Sequence, residues 1–291
     1  MDSSHLVNEI KSLPSLPQAY HKCSHLLEQE STDSAALAEV VSADPAMTLS
    51  VLKLVNSAYF NLPRRIERLE HAISIIGRDK FKELVLTAAL VEAVSKLAGG
   101  EVKMEVFWRH SIYTGLIAKR LALHCYLPNS ERLFISGLLH DIGQLLYFTI
   151  QPTKALKVSA LVLKYGIETN LAESKVLGYN HQQLGAKLCQ SWELPDWLTH
   201  TVSHHHQPQQ KQRHQLESQI IYLANIIASS VYPSLVTLGH EKKIKPACVI
   251  EDPVWQALNI KPEVAKTLEL EAEGQLNDIL KSLIPDLRTV A

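Results

Sequence analysis

The segment SERLFISGLLHDIGQLLYFTI, residues 130–150, contains two apolar stretches with helical spacing that meet at an adjacent histidine and aspartate. We predict that one helix begins at Ser130, which can cap it, and ends near this pair. A second helix is predicted over Ile142–Ile150. Since His140 and Asp141 lie at the junction of the two helices, one imidazole and one carboxylate can reach the same ion there.

Helical periodicity continues along the rest of the chain, and no convincing alternation typical of strands is found. Asp44 can cap a helix that has Pro45 in its first turn, and Gly77 can end another. Asn56 lies near a predicted helix end, where asparagine commonly forms caps and turns. The predicted helices cover about 17–28, 33–43, a segment from 45 on, 69–76, 79–96, 102–125, 130–139, 142–150, 153–165, a short segment before 178, 182–192, 195–205, 214–231, 253–258 and 262–284. We therefore predict an all-α fold.

The pattern is interrupted at Gly99-Gly100, which we interpret as a boundary. The predicted organisation is an amino-terminal helical lobe over residues 1–100, a second helical lobe over 101–231 and a carboxy-terminal helical extension over 232–291.

Composition and charge narrow the class of protein. Of the 291 residues 46% are hydrophobic, and the net charge is −1, so neither disorder nor a nucleic-acid-binding surface is indicated. The basic pairs Arg64-Arg65 and Lys242-Lys243 are short, and we interpret them as solvated faces.

No membrane segment or targeting sequence is expected. The first residues carry no positive charge ahead of an apolar run, and the apolar run 84–94 is too short to span a bilayer and includes Glu92. The four cysteines are scattered, as is typical of reduced thiols in a cytosol. We expect a cytoplasmic protein.

Histidine is abundant, with 14 residues, and several lie where predicted helices meet. A mixed imidazole and carboxylate site suits iron, manganese, nickel or zinc, and such ions activate water and offset phosphate charge. The alternative is that buried, hydrogen-bonded histidines only hold the helix junction together. His204 is predicted to point elsewhere, because three successive helical residues cannot share one face. The candidate residues are His110, His140, Asp141, His181, His205 and His206.

The order His110, His140-Asp141 and then Asn225 in a distant helix resembles the HD superfamily of metal-dependent phosphohydrolases. The closer resemblance is to the HDOD family, the HD-related output domain, and it extends over about residues 13–230. The motifs that carry it are DPAMT (44–48), LVNSA (54–58), AI and IG (72–73 and 76–77), GLLHDIG (137–143), LGYNH (177–181), GA (185–186), W-x-L-P (192–195) and HHQP (205–208).

This resemblance implies an HD-domain-like helical fold and a role in bacterial signal transduction. It also implies one or two divalent transition metals, with Asp141 as the catalytic candidate if the protein is an enzyme. The implied metal ligands are His110, His140, Asp141, His181, His205, His206 and Asn225.

Three departures from active relatives argue against catalysis. Asn225 stands where HD enzymes have an aspartate, and Gln144 stands where HD-GYP phosphodiesterases usually have a lysine. The sequence after Pro208 lacks Gly-Tyr-Pro, so we do not expect hydrolysis of cyclic di-GMP. An amide is uncharged and offsets no phosphate charge.

Two functional hypotheses remain. The first is a non-catalytic signalling module that binds a partner protein or a small ligand, a nucleotide among the options. The alternative is a metal-dependent phosphohydrolase acting on a nucleotide or another phosphate ester. Neither hypothesis involves binding to nucleic acid or to a membrane, and both leave the oligomeric state open.

Overall fold

The computed structural model describes residues 13–27, 33–97, 102–209, 213–238 and 253–284, and the regular structure in these ranges is α-helical with no strand. This confirms the all-α prediction. The boundary at Gly99-Gly100 and the pair Lys242-Lys243 lie outside the described residues. The described helices are α1 Gln18–Leu27, α2 Ser34–Ser42, α3 Pro45–Val55, α4 Leu69–Ile76, α5 Arg78–Leu97, α6 Met104–His124, α7 Ser130–Leu139, α8 Ile142–Ile150, α9 Pro152–Tyr165, α10 Thr169–Leu177, α11 His181–Ser191, α12 Asp196–His204, α13 Gln215–Val231, α14 Val254–Ala257 and α15 Val264–Leu283.

The described residues form two compact units. The first, here called the histidine unit, contains residues 102–209, 213–238 and 253–274. The second, the amino-terminal unit, contains residues 14–27, 33–97 and 275–284. The predicted three-part division therefore stays a prediction, and the carboxy-terminal segment contributes residues to both units.

Helix α3 of the amino-terminal unit begins as its sequence predicts. The Asp44 carboxylate accepts a hydrogen bond from the Met47 backbone N–H at 3.0 Å, and Pro45 occupies the first turn. Gly77 ends α4 with a φ of 82°, in the region that favours glycine. In α7, by contrast, the predicted cap was wrong: Asn129 holds the N-cap position, and Ser130 is already the first helical residue.

Asn56 ends α3 and fastens the loop that follows it. Its amide nitrogen donates to the Ile66 carbonyl at 2.7 Å, and its amide oxygen accepts from the Ile66 N–H at 2.7 Å. The Ile66 residue is buried, and this pair of bonds satisfies both of its backbone polar groups. Asparagine in this motif therefore has a structural role.

Helices α6 and α7 of the histidine unit approach at backbone distance. A Cβ atom on Gly137 would lie 2.5 Å from the Gly115 Cα, and one on Gly115 would lie 2.7 Å from the Phe134 carbonyl oxygen. This close packing brings the rings of His110 and His140 to a centroid distance of 5.3 Å.

Among the described residues, Ser130–Ile150 is long and apolar enough to be considered a membrane span. Its most apolar 18 residues have a mean hydropathy of 1.3, but 83% of them are buried inside the protein. A second candidate arises only if α2 and α3, which are bent by 120° relative to each other at the break between them, are counted as one span. Core helices of globular folds have the same character.

Candidate metal centre

Four parts of the histidine unit place side chains around one buried carboxylate, that of Asp141. Helix α6 contributes His110, the α7–α8 junction contributes the His-Asp pair, α11 contributes its first residue, and the end of α12 contributes the paired histidines. The Nε2 atoms of four histidines lie 3.4–3.7 Å from the carboxylate: His140 3.4 Å, His181 3.4 Å, His110 3.6 Å and His205 3.7 Å.

The carboxylate of Asp141 joins two groups of possible ligands. In each group the ligand atoms lie within 4.8 Å of one another. The groups are His110, His140 and Asp141, and Asp141, His181, His205 and His206. The Oδ2 atom faces the first group and Oδ1 faces the second, which is the arrangement of a carboxylate that can bridge two ions.

The hydrogen bonds on the far side of four rings determine which nitrogen faces the centre. Since carbonyl oxygens and carboxylates only accept, each Nδ1 carries a proton and donates. In the neutral rings of His140, His181 and His205, Nε2 then presents a lone pair toward Asp141, whereas the Nε2 of His110 also contacts the Asn225 amide oxygen. The Nδ1 partners are Tyr232 O for His110 at 2.9 Å, Gly137 O for His140 at 2.8 Å, Glu173 Oε2 for His181 at 2.7 Å and Val202 O for His205 at 2.9 Å.

These lone pairs face one another without a proton between them. The Nε2 atoms of His181 and His205 are 3.2 Å apart, and both are acceptors in the tautomers described above. The Nε2 of His140 and Oδ1 of Asp141 are buried and have no hydrogen-bond partner in the described part of the chain. A cation between them would satisfy all of these atoms, so the donor set fits a divalent transition metal.

Electrostatics keeps the ligands in the forms that coordinate metals. Burial lowers the pKa of His205 to about 4, although the nearby Asp141 carboxylate opposes this. Burial also lowers the pKa of His110. For Asp141, burial acts to raise the pKa, but the surrounding imidazoles, that of His140 first, hold it well below its ordinary value. At neutral pH the ionised carboxylate of Asp141 therefore faces neutral imidazoles at His110 and His205.

Glu173 on α10 is a part of the site that sequence reasoning missed. Its carboxylate is fully buried and accepts hydrogen bonds from the His181 backbone N–H at 2.9 Å, from the His181 Nδ1–H and from the Tyr147 hydroxyl at 3.0 Å. Burial lowers the pKa of His181, but Glu173 and then Asp141 more than offset this and raise it overall.

The turn between α10 and α11 brings these groups together. Gly178 adopts a left-handed conformation with a φ of 86°, and Asn180 and Gln183 form a reciprocal capping box at the start of α11. The chain thus reverses so that His181 returns to Glu173. The Gly-x-Asn-x-x-Gln pattern was the available signal for this reversal.

Gly143 allows α8 to meet the same turn. A Cβ atom at Gly143 would lie 2.0 Å from the His181 carbonyl oxygen, far inside van der Waals contact. The glycine of the HDIG sequence is therefore required by a close backbone approach at the site.

Asn225 and Gln144, the two residues that differ from those of catalytic relatives, are polar and uncharged. The amide oxygen of Asn225 lies 3.1 Å from the His110 Nε2, at the edge of the cluster. Gln144 is buried, and its amide oxygen has no hydrogen-bond partner among the described residues. Neither position supplies a charge.

The structure brings all seven candidate residues together, whereas His204 lies apart. The His204 ring stacks on that of His200 at 4.3 Å, and its Nδ1 lies 3.0 Å from the His200 carbonyl oxygen. The assignment of the seven as metal ligands stays a prediction.

The fold and this cluster define an all-α protein of the HD class. The family model described as HDOD domain matches residues 13–208, and the chain therefore belongs to the HDOD family.

Two solved structures and one curated protein illustrate the family likeness. A Shewanella amazonensis SB2B protein, provisionally named a phosphohydrolase, is 26% identical with a TM-score of 0.74, and the alignment covers 96% of this chain and 97% of that one. A Marinobacter aquaeolei VT8 protein, provisionally named a signal transduction protein, is 22% identical with a TM-score of 0.69, over 93% of this chain and 59% of that one. An uncharacterized protein of Treponema pallidum (strain Nichols) is 24% identical over 205 residues, which is 69% of this chain and 39% of that protein. The chain thus spans about two fifths of the length of the curated relative that it matches.

Proposed function

We propose that this HDOD protein is a bacterial signalling output module that holds one or two divalent transition metals around Asp141 and does not hydrolyse phosphate esters at enzymatic rates. The observation that carries the proposal is the inward orientation of four Nε2 atoms around a single buried carboxylate. Histidines that only hold helices together would need no such common orientation.

The chain's own residues would hold and orient the ions. Backbone carbonyls and Glu173 align the imidazoles, and Asp141 is the one carboxylate in the two ligand groups. A divalent ion bound there would supply Lewis acidity and neutralise phosphate charge. The identity of the metal, among iron, manganese, nickel and zinc, is part of the proposal.

The charge at the site supports binding without turnover. Asn225 contributes an uncharged oxygen where active HD enzymes have a second carboxylate, and Gln144 contributes no cation for a phosphate. The loss of one preorganised electrostatic contact costs about 3 kcal/mol in catalysis. Two such losses together reduce a rate by roughly four orders of magnitude.

The competing function is a metal-dependent phosphohydrolase for a nucleotide or another phosphate ester. The complete set of inward-facing histidines favours it, as does the name of the Shewanella protein. The two functions differ in one measurable property, the rate of hydrolysis by the metal-loaded protein.

The deciding experiment combines elemental analysis with hydrolysis assays. We expect at least one metal per chain, its loss in Asp141→Ala, and little hydrolysis of bis(p-nitrophenyl) phosphate, nucleotides or cyclic dinucleotides with iron or manganese supplied. Hydrolysis at ordinary enzyme rates that His140→Ala abolishes would establish the phosphohydrolase instead. A gain of activity only in the double variant Asn225→Asp, Gln144→Lys would identify a decayed catalytic site. A metal-free protein with an unchanged Asp141→Ala melting temperature would refute the metal assignment.

The ligand of the module has a candidate site in the amino-terminal unit. A cleft of about 670 Å³ is lined by apolar side chains from α3 and the following loop, together with Lys53, Arg64 and Arg65. These three cations form no ion pair within the described ranges, and Glu67 is the one acidic residue in the lining. Unpaired cations over an apolar wall favour a small anionic ligand, such as a nucleotide.

This ligand site can be tested by equilibrium dialysis with a panel of labelled nucleotides. The double variant Arg64→Ala, Arg65→Ala should lose binding, while Arg68→Ala should retain it, because Arg68 is exposed, pairs with Glu70 and does not line the cleft. Equal binding by both variants would remove the cleft from the proposal.

A further inference from the structure

A chain of amide hydrogen bonds lies behind the second ligand group of the candidate metal centre. The Gln182 residue is buried, and it follows His181 at the start of α11. Its amide nitrogen donates to the Ser203 carbonyl on α12 at 3.1 Å, and its amide oxygen accepts from the Asn170 amide on α10 at 3.1 Å. One side chain thus connects the first turns of two helices to the last turn of a third.

The Ser203 carbonyl needs Gln182 because α12 supplies no donor for it. In a longer helix the Gln207 N–H would bond to Ser203, but here it donates to the His204 carbonyl at 2.8 Å. Since a carbonyl only accepts, the amide nitrogen of Gln182 must face Ser203, and the amide oxygen then faces Asn170. Gln182 therefore fixes the last turn of α12.

This last turn of α12 also holds a candidate ligand. The Nδ1–H of His205 donates to the Val202 carbonyl at 2.9 Å. Because Val202 directly precedes Ser203, the position of the His205 ring follows that of the backbone turn to which Gln182 is bonded. The hydrogen bond from Gln182 therefore acts on His205 through the backbone.

Helix α10 supports the other end of the chain of hydrogen bonds. Asn170 and Glu173 are three residues apart on α10, so they lie on the same face of it. Glu173 accepts from the Nδ1–H of His181 at 2.7 Å, and Asn170 donates to Gln182. These two contacts hold adjacent residues of α11, the candidate ligand and the side chain that reaches α12.

We propose that Gln182 is a positioning residue that sets the distance between His181 and His205 for a shared divalent ion. The Nε2 atoms of the two rings are 3.2 Å apart. Two imidazole nitrogens on one tetrahedral zinc ion, each at about 2.0 Å from it, are about 3.3 Å apart. The hydrogen bonds of Gln182 hold the two rings near this spacing, and such pre-organisation raises affinity because less freedom is lost on binding. The inference rests on the proposed metal centre and adds the residue that fixes the geometry of its second ligand group.

The test is Gln182→Met, which keeps the length of the side chain and removes both hydrogen bonds. The matched control is Gln190→Met, at an exposed position on the same helix. Cobalt(II) is the probe, and its affinity is measured by competition with a chelating dye. We expect about tenfold weaker binding in Gln182→Met, on the scale of other groups that orient metal ligands. The visible absorption spectrum of the cobalt-loaded variant should also change, because a displaced imidazole alters the coordination geometry. Gln190→Met should match the unsubstituted protein in both measurements.

A second variant decides the question if Gln182→Met does not fold. Asn170→Ala leaves the bond to Ser203 in place and removes only the donor that holds the Gln182 amide oxygen. We expect its cobalt affinity to fall in the same direction by roughly threefold, the effect of one hydrogen bond. Unchanged affinity in Asn170→Ala would then overturn the positioning role.

Two further results would overturn the proposal, and they differ in what else they remove. Equal cobalt affinity and equal spectra in Gln182→Met and Gln190→Met would show that Gln182 is a structural contact only, even if the metal-free Gln182→Met protein melts at a lower temperature. The metal centre would survive that result. Failure of the unsubstituted protein to bind cobalt would overturn the metal centre itself, and the positioning role with it.

Discussion

The substitution Glu173→Gln tests how the protein orients a candidate metal ligand. The carboxylate of Glu173 accepts three hydrogen bonds in a fully buried position, two from His181 and one from Tyr147. Burial and then Glu173 hold the pKa of Tyr147 well above its ordinary value, so its hydroxyl stays a donor. A glutamine presents one acceptor oxygen and a donor amide to these three donors, and at least one donor loses its partner.

The magnitude follows from these contacts. One buried donor without a partner costs about 2 kcal/mol of stability. Loss of the carboxylate that holds a ligating histidine lowers metal affinity by roughly 10- to 100-fold, which corresponds to about 1.4–2.8 kcal/mol of binding free energy. The second effect is specific, because it requires that His181 coordinates the metal through Nε2.

The assay is a competition titration with a metal-responsive chelating dye, accompanied by thermal unfolding of the metal-free protein. The matched control is Glu168→Gln, because Glu168 is exposed just before α10 and makes no capping hydrogen bond with its side chain. Unchanged affinity in Glu173→Gln, with or without a fall in melting temperature, would show that Glu173 has only a structural role and would refute the reasoning.

Three further predictions concern other parts of the protein. Gly143→Ala should destabilise the protein by about 3 kcal/mol and lower its metal content, because the added methyl group overlaps the His181 carbonyl. The control is Gly274→Ala, since a Cβ atom at Gly274 meets open space. Equal melting temperatures of the two variants would contradict the prediction. The free energy of unfolding of the metal-free protein should fall by on the order of 3 kcal/mol between about pH 6.5 and pH 4. The reason is that His205 stays neutral in the folded protein, with a pKa of about 4, and takes up a proton on unfolding. If urea denaturation shows the same pH dependence in His205→Gln, this cause is excluded. Asn56→Ala should lower the free energy of unfolding in urea by about 1 kcal/mol, since two partly buried backbone groups of the loop lose their partners. An unchanged midpoint would show that water replaces the amide.

Helix positions followed from the sequence because their causes are local. Asp44 and Pro45 begin α3, and Gly77 ends α4, through contacts within a few residues. The cap predicted at Ser130 was wrong by one residue, because adjacent polar residues compete for the N-cap position and no local rule separates them.

The candidate ligands could also be identified from the sequence, because the order of the motifs carries the resemblance to the HDOD family. His110, His140-Asp141 and Asn225 are far apart in the chain, and their convergence was an expectation until the packing of α6, α7 and α13 was known. The family likeness covers residues 13–208, which include most of these positions.

Properties that depend on contacts between distant segments required the tertiary structure. Glu173 carries no motif, and its role depends on a chain reversal that places it against His181. The imidazole tautomers depend on carbonyl groups such as that of Tyr232, 122 residues from His110 along the chain. Periodicity and capping report on neighbours within one or two helical turns, whereas the direction of a lone pair is determined by the group that packs behind the ring, and only the folded chain specifies that group.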